Sequence, residues 1–167
     1  TATGDAREFW HNQPDDRTFP AVSAIQWAGD HVIFQAEPEE WIRYYAVSVS
    51  GGTGAPVMLT PGDGMVENIA LAKDGRTLFY CTNAGDTDRR HVWRVATSGG
   101  DAAPVTKGGE IETYPAALAS GSGVAVLSAS WKRPQSVGLV PATAGTVRGT
   151  FPALPAEHTL ERHVEPQ

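Results

Sequence analysis

Cysteine is almost missing from this sequence. The lone Cys81 excludes an internal disulfide and a thiolate zinc cage. Its place between Tyr80 and Thr82, inside a β-forming run, suits a small core residue better than a nucleophile. No apolar run reaches the length of a membrane-crossing helix. Positive charge is sparse and scattered: 13 Lys and Arg against 19 Asp and Glu leave a net charge of −6, and no basic stripe forms a nucleic-acid surface. No initiator Met and no basic-then-apolar leader opens the sequence, so no signal peptide is read there. The five histidines, His11, His31, His91, His158 and His163, share no ligand spacing, so neither a metal nor any other cofactor is expected. What is abundant is turn chemistry. With 18 Gly and 12 Pro, many turns and few long helices are expected, and 41% apolar residues suffice for a packed core of one domain.

The stretch from Val66 to Gly109 organises the rest. Ile69–Ala72 runs into Lys73-Asp74-Gly75-Arg76, and Asp-Gly between apolar runs is a strong hairpin signal. Thr77–Thr82 (TLFYCT) is rich in β-branched and aromatic residues, which favour strands. A polar loop follows, then His91–Val95, a Ser98-Gly99-Gly100-Asp101 turn, and a brief Pro104–Thr106. Four strands in about 45 residues match the size and order of one β-propeller blade.

The unit recurs. Ser50-Gly51-Gly52 returns as Ser98-Gly99-Gly100 after 48 positions, and Val32-Ile33-Phe34 as Leu78-Phe79-Tyr80 after 46. Thr18-Phe19-Pro20-Ala21 returns as Thr113-Tyr114-Pro115-Ala116 after 95, close to two periods. Regular strands alone would also suit a β-sandwich, but repeats in register favour the propeller. The expected fold is therefore all-β: a partial β-propeller of about three four-stranded antiparallel blades plus one leading outer strand.

The units divide as residues 17–64, 65–111 and 112–151. Residues 1–16 read as the outer strand and connector of a preceding blade, with the strand at Ala6–Trp10, so the chain reads as starting in mid-blade. In the third strand of the first unit, Tyr45 and Val47 alternate with Tyr44 and Ala46, and neither side is charged, as in a strand covered on both faces. Residues 152–167, with Pro152, Pro155 and Pro166, read as an exit linker holding at most a short helix near Glu157–His163. Three blades leave two blade faces unpaired. Exposing an apolar face of about 500 Å² forfeits on the order of 10 kcal/mol, so the chain is expected to self-associate.

Topology gathers the charge on one face. The loops Glu37–Glu40, Asp86–Arg90 and Trp131–Pro134 share it with the connectors His11–Asp16, Pro61–Met65 and Lys107–Glu112. Glu39 and Glu40 beside Trp41 are the candidate substrate-binding residues: two carboxylates receive a cationic amine and the indole adds a cation–π wall. No catalytic residue is assigned. Gly121-Ser122-Gly123 misses the nucleophile-elbow frame, since positions 119 and 120 are Ala and Ser.

The AKDGRTLFY strand–turn–strand and the VWRVATSGGDAAPVT run resemble the propeller repeats of the prolyl oligopeptidase and dipeptidyl peptidase IV family of serine peptidases. They also resemble the periplasmic propeller of the Tol system. Ala6–Trp10 leading to Arg17-Thr18-Phe19-Pro20, and the tail LPAEHTLERHVEPQ, are similar to the peptidase group. That resemblance implies a bacterial dipeptidyl-peptidase-like enzyme, periplasmic or secreted, whose propeller gates peptide substrates. Its catalytic residues would lie in an α/β-hydrolase domain beyond Gln167. The partners implied are a peptide substrate, the missing blades and that hydrolase domain. The Tol-type resemblance implies instead a protein–protein interaction scaffold.

Overall fold

A computed structural model describes residues 3–4, 6–15, 17–19, 21–50, 54–155 and 157–164. It contains twelve strands in three four-stranded antiparallel sheets, each a single run of chain with its strands in sequence order. Sheet A holds β1 (Val22–Ala28), β2 (His31–Ala36), β3 (Arg43–Ser48) and β4 (Val57–Met58). Sheet B holds β5 (Val66–Leu71), β6 (Thr77–Thr82), β7 (His91–Ala96) and β8 (Ala103–Pro104). Sheet C holds β9 (Ile111–Ala117), β10 (Gly123–Ser130), β11 (Arg133–Pro141) and β12 (Arg148–Phe151). The Ser50-Gly51-Gly52 turn and the Pro20 position of the repeats lie partly or wholly outside the described residues.

The sheets stack face to face, as a strand such as β6 requires, with Leu78 and Tyr80 on one side and Phe79 and Cys81 on the other. Ile33, Tyr44, Ala46 and Leu59 of the first unit bury against Leu78, Tyr80 and Val95 of the second. On the far side of sheet B, Phe79, Val92 and Val105 bury against Val124, Val126 and Val140 of sheet C. Between sheets B and C, contact is concentrated where β9 meets β5, and the outer strand β8 stands apart. Sheets that meet at their first strands and diverge outward form the wedge of a β-propeller.

Identical turn chemistry repeats with the blades. Gly29, Gly75 and Gly121 lie 46 positions apart and all have positive φ, at 66°, 69° and 73°. In the second turn, Gly75 N–H donates to the Ala72 carbonyl at 2.9 Å, and Asp74 Oδ1 accepts from Arg76 N–H at 2.9 Å. The third strands of sheets A and B are tied to the segment after the outer strand through a threonine: Tyr44 N–H donates to Thr60 Oγ1 and Val92 N–H to Thr106 Oγ1, both at 2.9 Å.

Three features differ from the sequence reading. The first strands of sheets B and C begin at Val66 and Ile111, three residues ahead of Ile69 and Tyr114. Bulges interrupt the pairing there, and Tyr114 sits in one with a φ of 50°. A bulge breaks alternation, which hides the start of a strand from a period-two reading. Second, Ala6–Trp10 forms no strand. Phe9, Trp10 and Phe19 instead cover the outer face of sheet A, Trp10 stacking on Phe34 at 5.4 Å and Phe19 meeting Tyr45 edge-on at 4.8 Å. Third, that packing leaves sheet C with the open face among the described residues. Val137, Leu139 and Phe151 are exposed there. The exit segment carries only a three-residue 3₁₀ turn, Leu160–Arg162, with His163 Nδ1 3.0 Å from the Trp131 carbonyl oxygen.

The glycine turns are not equivalent. A Cβ on Gly75 would lie 2.5 Å from the Gly29 backbone nitrogen, whereas one on Gly121 meets nothing within 4 Å. Gly121→Ala is expected to cost about 1–2 kcal/mol, the cost of a left-handed backbone alone, and Gly75→Ala more than that, as read by urea unfolding.

Candidate functional site

The loop-and-connector face is built on one repeated position. The first residue of each third strand is basic: Arg43, His91 and Arg133. Arg43 and Arg133 reach connectors between blades, and His91 reaches the start of β9. Arg43 is buried and donates to the carbonyls of Gly64 at 3.1 Å and Thr60 at 3.4 Å. His91 Nδ1 lies 2.9 Å from a carboxylate oxygen of Glu112, a residue only 2% exposed. Arg133 holds Glu110 at 2.9 Å, and Ser128 donates to the same carboxylate oxygen. Arg90 adds an ion pair with Glu67 at 2.9 Å. Much of the charge in the second and third loops is therefore paired within the chain, and the His91–Glu112 pair links sheets B and C.

Sheet A differs. Glu37, Glu39 and Glu40 form no ion pair among the described residues. Glu39 borders a cleft of about 750 Å³ between the 10–19 segment and the outer edge of sheet A. Trp10, Phe19 and Tyr45 wall it, and Asn12, Gln13 and Met58 also line it. Burial raises the Tyr45 phenol above its ordinary range, Arg43 draws it down, and Glu39 pushes it up again. Glu40 is exposed and Trp41 half-buried, and neither lines the cleft. The aromatic wall beside Glu39 thus comes from Trp10, Phe19 and Tyr45, which the reading of adjacent residues missed because they arrive from three separate segments.

A second surface follows the first strands. Trp27 is 66% exposed, Ile25 64% and Tyr114 61%, although all three lie in β-strands. Ala24 and Tyr114 both take positive φ at bulges, at 48° and 50°. Bulges re-aim side chains, and in a propeller the first strands border the central channel. Among the described residues no group of three or more His, Cys, Asp or Glu could hold a metal, and no helix is long and apolar enough to cross a membrane.

Three stacked, wedge-shaped four-stranded sheets define the class: a β-propeller, of which these residues form about three blades. The family follows from the sequence itself. The family model "Dipeptidyl peptidase IV (DPP IV) N-terminal region" matches residues 1–135, and the chain belongs to that family. Among solved structures it is similar to a TolB protein from Agrobacterium tumefaciens, with a TM-score of 0.57 and 20% identity over 77% of this chain and 49% of that one. It is also similar to a puromycin-hydrolyzing peptidase of Mycobacterium tuberculosis, with a TM-score of 0.58 and 20% identity over 77% of this chain and 20% of that one. The chain therefore spans about half of the first and a fifth of the second. No curated protein matches it.

Two buried acids make the fold sensitive to alkali. Burial pushes the Cys81 thiol up to about 12, with Glu67 adding to the rise, Arg90 opposing it and Glu112 adding further. Burial also pushes the Tyr80 phenol up to about 12, against the pull of Arg43. The folded chain thus favours both neutral forms. Their contribution to stability is whole below the ordinary thiol range near 9 and is lost as pH climbs toward 12. Urea unfolding from pH 8 to pH 11 is expected to show falling stability, with a smaller fall in Cys81→Ala.

Proposed function

We propose that this stretch of propeller gates and orients peptide substrates for an α/β-hydrolase domain in a dipeptidyl-peptidase-like serine exopeptidase. The observation that carries the reading is the family match across residues 1–135, which spans the first two blades and enters the third. Two surfaces support it. Ile25, Trp27 and Tyr114 offer apolar and aromatic contact along the first strands, where a peptide would pass. Glu39 and Glu40, without basic partners among the described residues, supply negative charge for a substrate amine, with Trp41 flanking them. The test compares a product extended into the hydrolase domain with the 167-residue chain. The extended protein is expected to release the chromophore from dipeptide anilides, and the chain alone is the blank. Hydrolysis by the short chain, or none by an extended protein carrying a complete Ser–Asp–His set, would overturn the reading.

The likeness to TolB favours one other reading, a scaffold that binds protein partners without catalysing. It gains if the extended reading frame encodes no nucleophile elbow.

The chain by itself has a surface for a second copy. Val137 and Leu139 alternate with the buried Ser136, Gly138 and Val140, so they share the face of sheet C turned away from sheet B. Blades pack by just such faces, and two open faces can cover one another. Light scattering is expected to find a dimer at micromolar concentration, dispersed by Val137→Asp with Leu139→Asp. A sharp monomer across that range would rule it out.

A further inference from the structure

A second cleft, of about 540 Å³, opens between the first two blades. Its lining comes from the connector (Pro61, Asp63), the two middle strands of sheet B (Tyr80, Trp93) and the turn before β8 (Asp101, Ala102). None of it belongs to β1, β5 or β9, so it is separate from the surface a channel substrate would meet.

Three observations describe what fits there. Asp63 and Asp101 are the charged residues of the lining, both exposed and neither ion-paired among the described residues, so the complementary charge is positive. The walls are aromatic and apolar, the lining expected of a small-molecule pocket. Tyr80 is 1% exposed and lines the cleft, and no protein group among the described residues hydrogen-bonds its hydroxyl. Its hydroxyl is therefore free to pair with a polar atom of a ligand in the cleft. Because the Arg43 guanidinium acts on Tyr80, the floor of the cleft disfavours a cation, and the carboxylates at its margins favour one.

We propose that this interblade cleft binds an aryl-alkyl amine that carries a polar atom on its ring. The ring lies against Trp93 and Tyr80, the ring oxygen pairs with the Tyr80 hydroxyl, and the protonated amine sits at Asp63 or Asp101. Burial keeps the Tyr80 phenol protonated, so it is available as a donor throughout the neutral range.

Three probes separate these contacts: tyramine, 4-hydroxyphenylethanol without the amine, and phenethylamine without the ring hydroxyl. They are titrated into the 167-residue chain by calorimetry and by amide shift perturbation. Tyramine is expected to bind at around 1 mM or tighter. The alcohol should bind roughly fivefold more weakly, the scale of an exposed ion pair. Phenethylamine should also bind several-fold more weakly than tyramine. The Asp63→Asn, Asp101→Asn double variant should erase the preference for tyramine over the alcohol, and Tyr80→Phe the preference for tyramine over phenethylamine. Both variants must keep the parent amide spectrum outside the cleft. The assignment is overturned if tyramine fails to bind at about tenfold that concentration, or if all three probes bind alike. It is equally overturned if the perturbed amides lie away from Tyr80 and Trp93, or if either preference survives in its variant.

Discussion

Sheet B is covered on both faces, and the rest of the structure depends on that. Alternation along β6 sends Leu78 and Tyr80 toward sheet A and Phe79 toward sheet C, with no polar side left for water. A strand of that kind is stable only as the middle of a stack. The demand passes outward. Sheet A has an apolar outer face as well, and here Phe9, Trp10 and Phe19 take the place of a neighbouring blade. Sheet C has the same kind of face and leaves Val137 and Leu139 to solvent.

Stacking also sets what polar groups can do. Connectors must cross from blade to blade over an apolar interface, and their ends are held by basic residues at the head of each third strand. Arg43 meets backbone carbonyls where His91 and Arg133 meet Glu112 and Glu110. The buried Glu112 side chain has the His91 ring beside it as a polar partner. In sheet A the basic residue turns inward, and the acidic loop ahead of it keeps three carboxylates without counter-ions among the described residues. The same arrangement that joins the blades thus leaves one loop charged toward solvent.

Much of the architecture was legible because it repeats. Ser-Gly-Gly returning after 48 residues and Val32-Ile33-Phe34 returning as Leu78-Phe79-Tyr80 after 46 announce one folded unit used again. Middle strands such as Thr77–Thr82 were readable to the residue, since β-forming side chains and an Asp-Gly turn agree there. The first strands of sheets B and C were not, because bulges near Val66 and at Tyr114 break their alternation. Ala6–Trp10 carries aromatic residues that suit a strand equally well as a cover, and only the face of sheet A decides between them.

The order of residues by itself determined the strand–turn grammar, the blade length, the acidic balance and membership of a dipeptidyl peptidase IV propeller family. These are local or periodic properties, written within a few tens of residues. Tertiary structure alone decided which carboxylates are spent on basic partners and which stay free, and that Trp10, Phe19 and Tyr45 wall the cleft beside Glu39. It alone brought Tyr80 and Trp93 into one cleft with Asp63 and Asp101. Those facts depend on side chains from segments distant in sequence, and nothing short of the packed stack brings them within bonding distance.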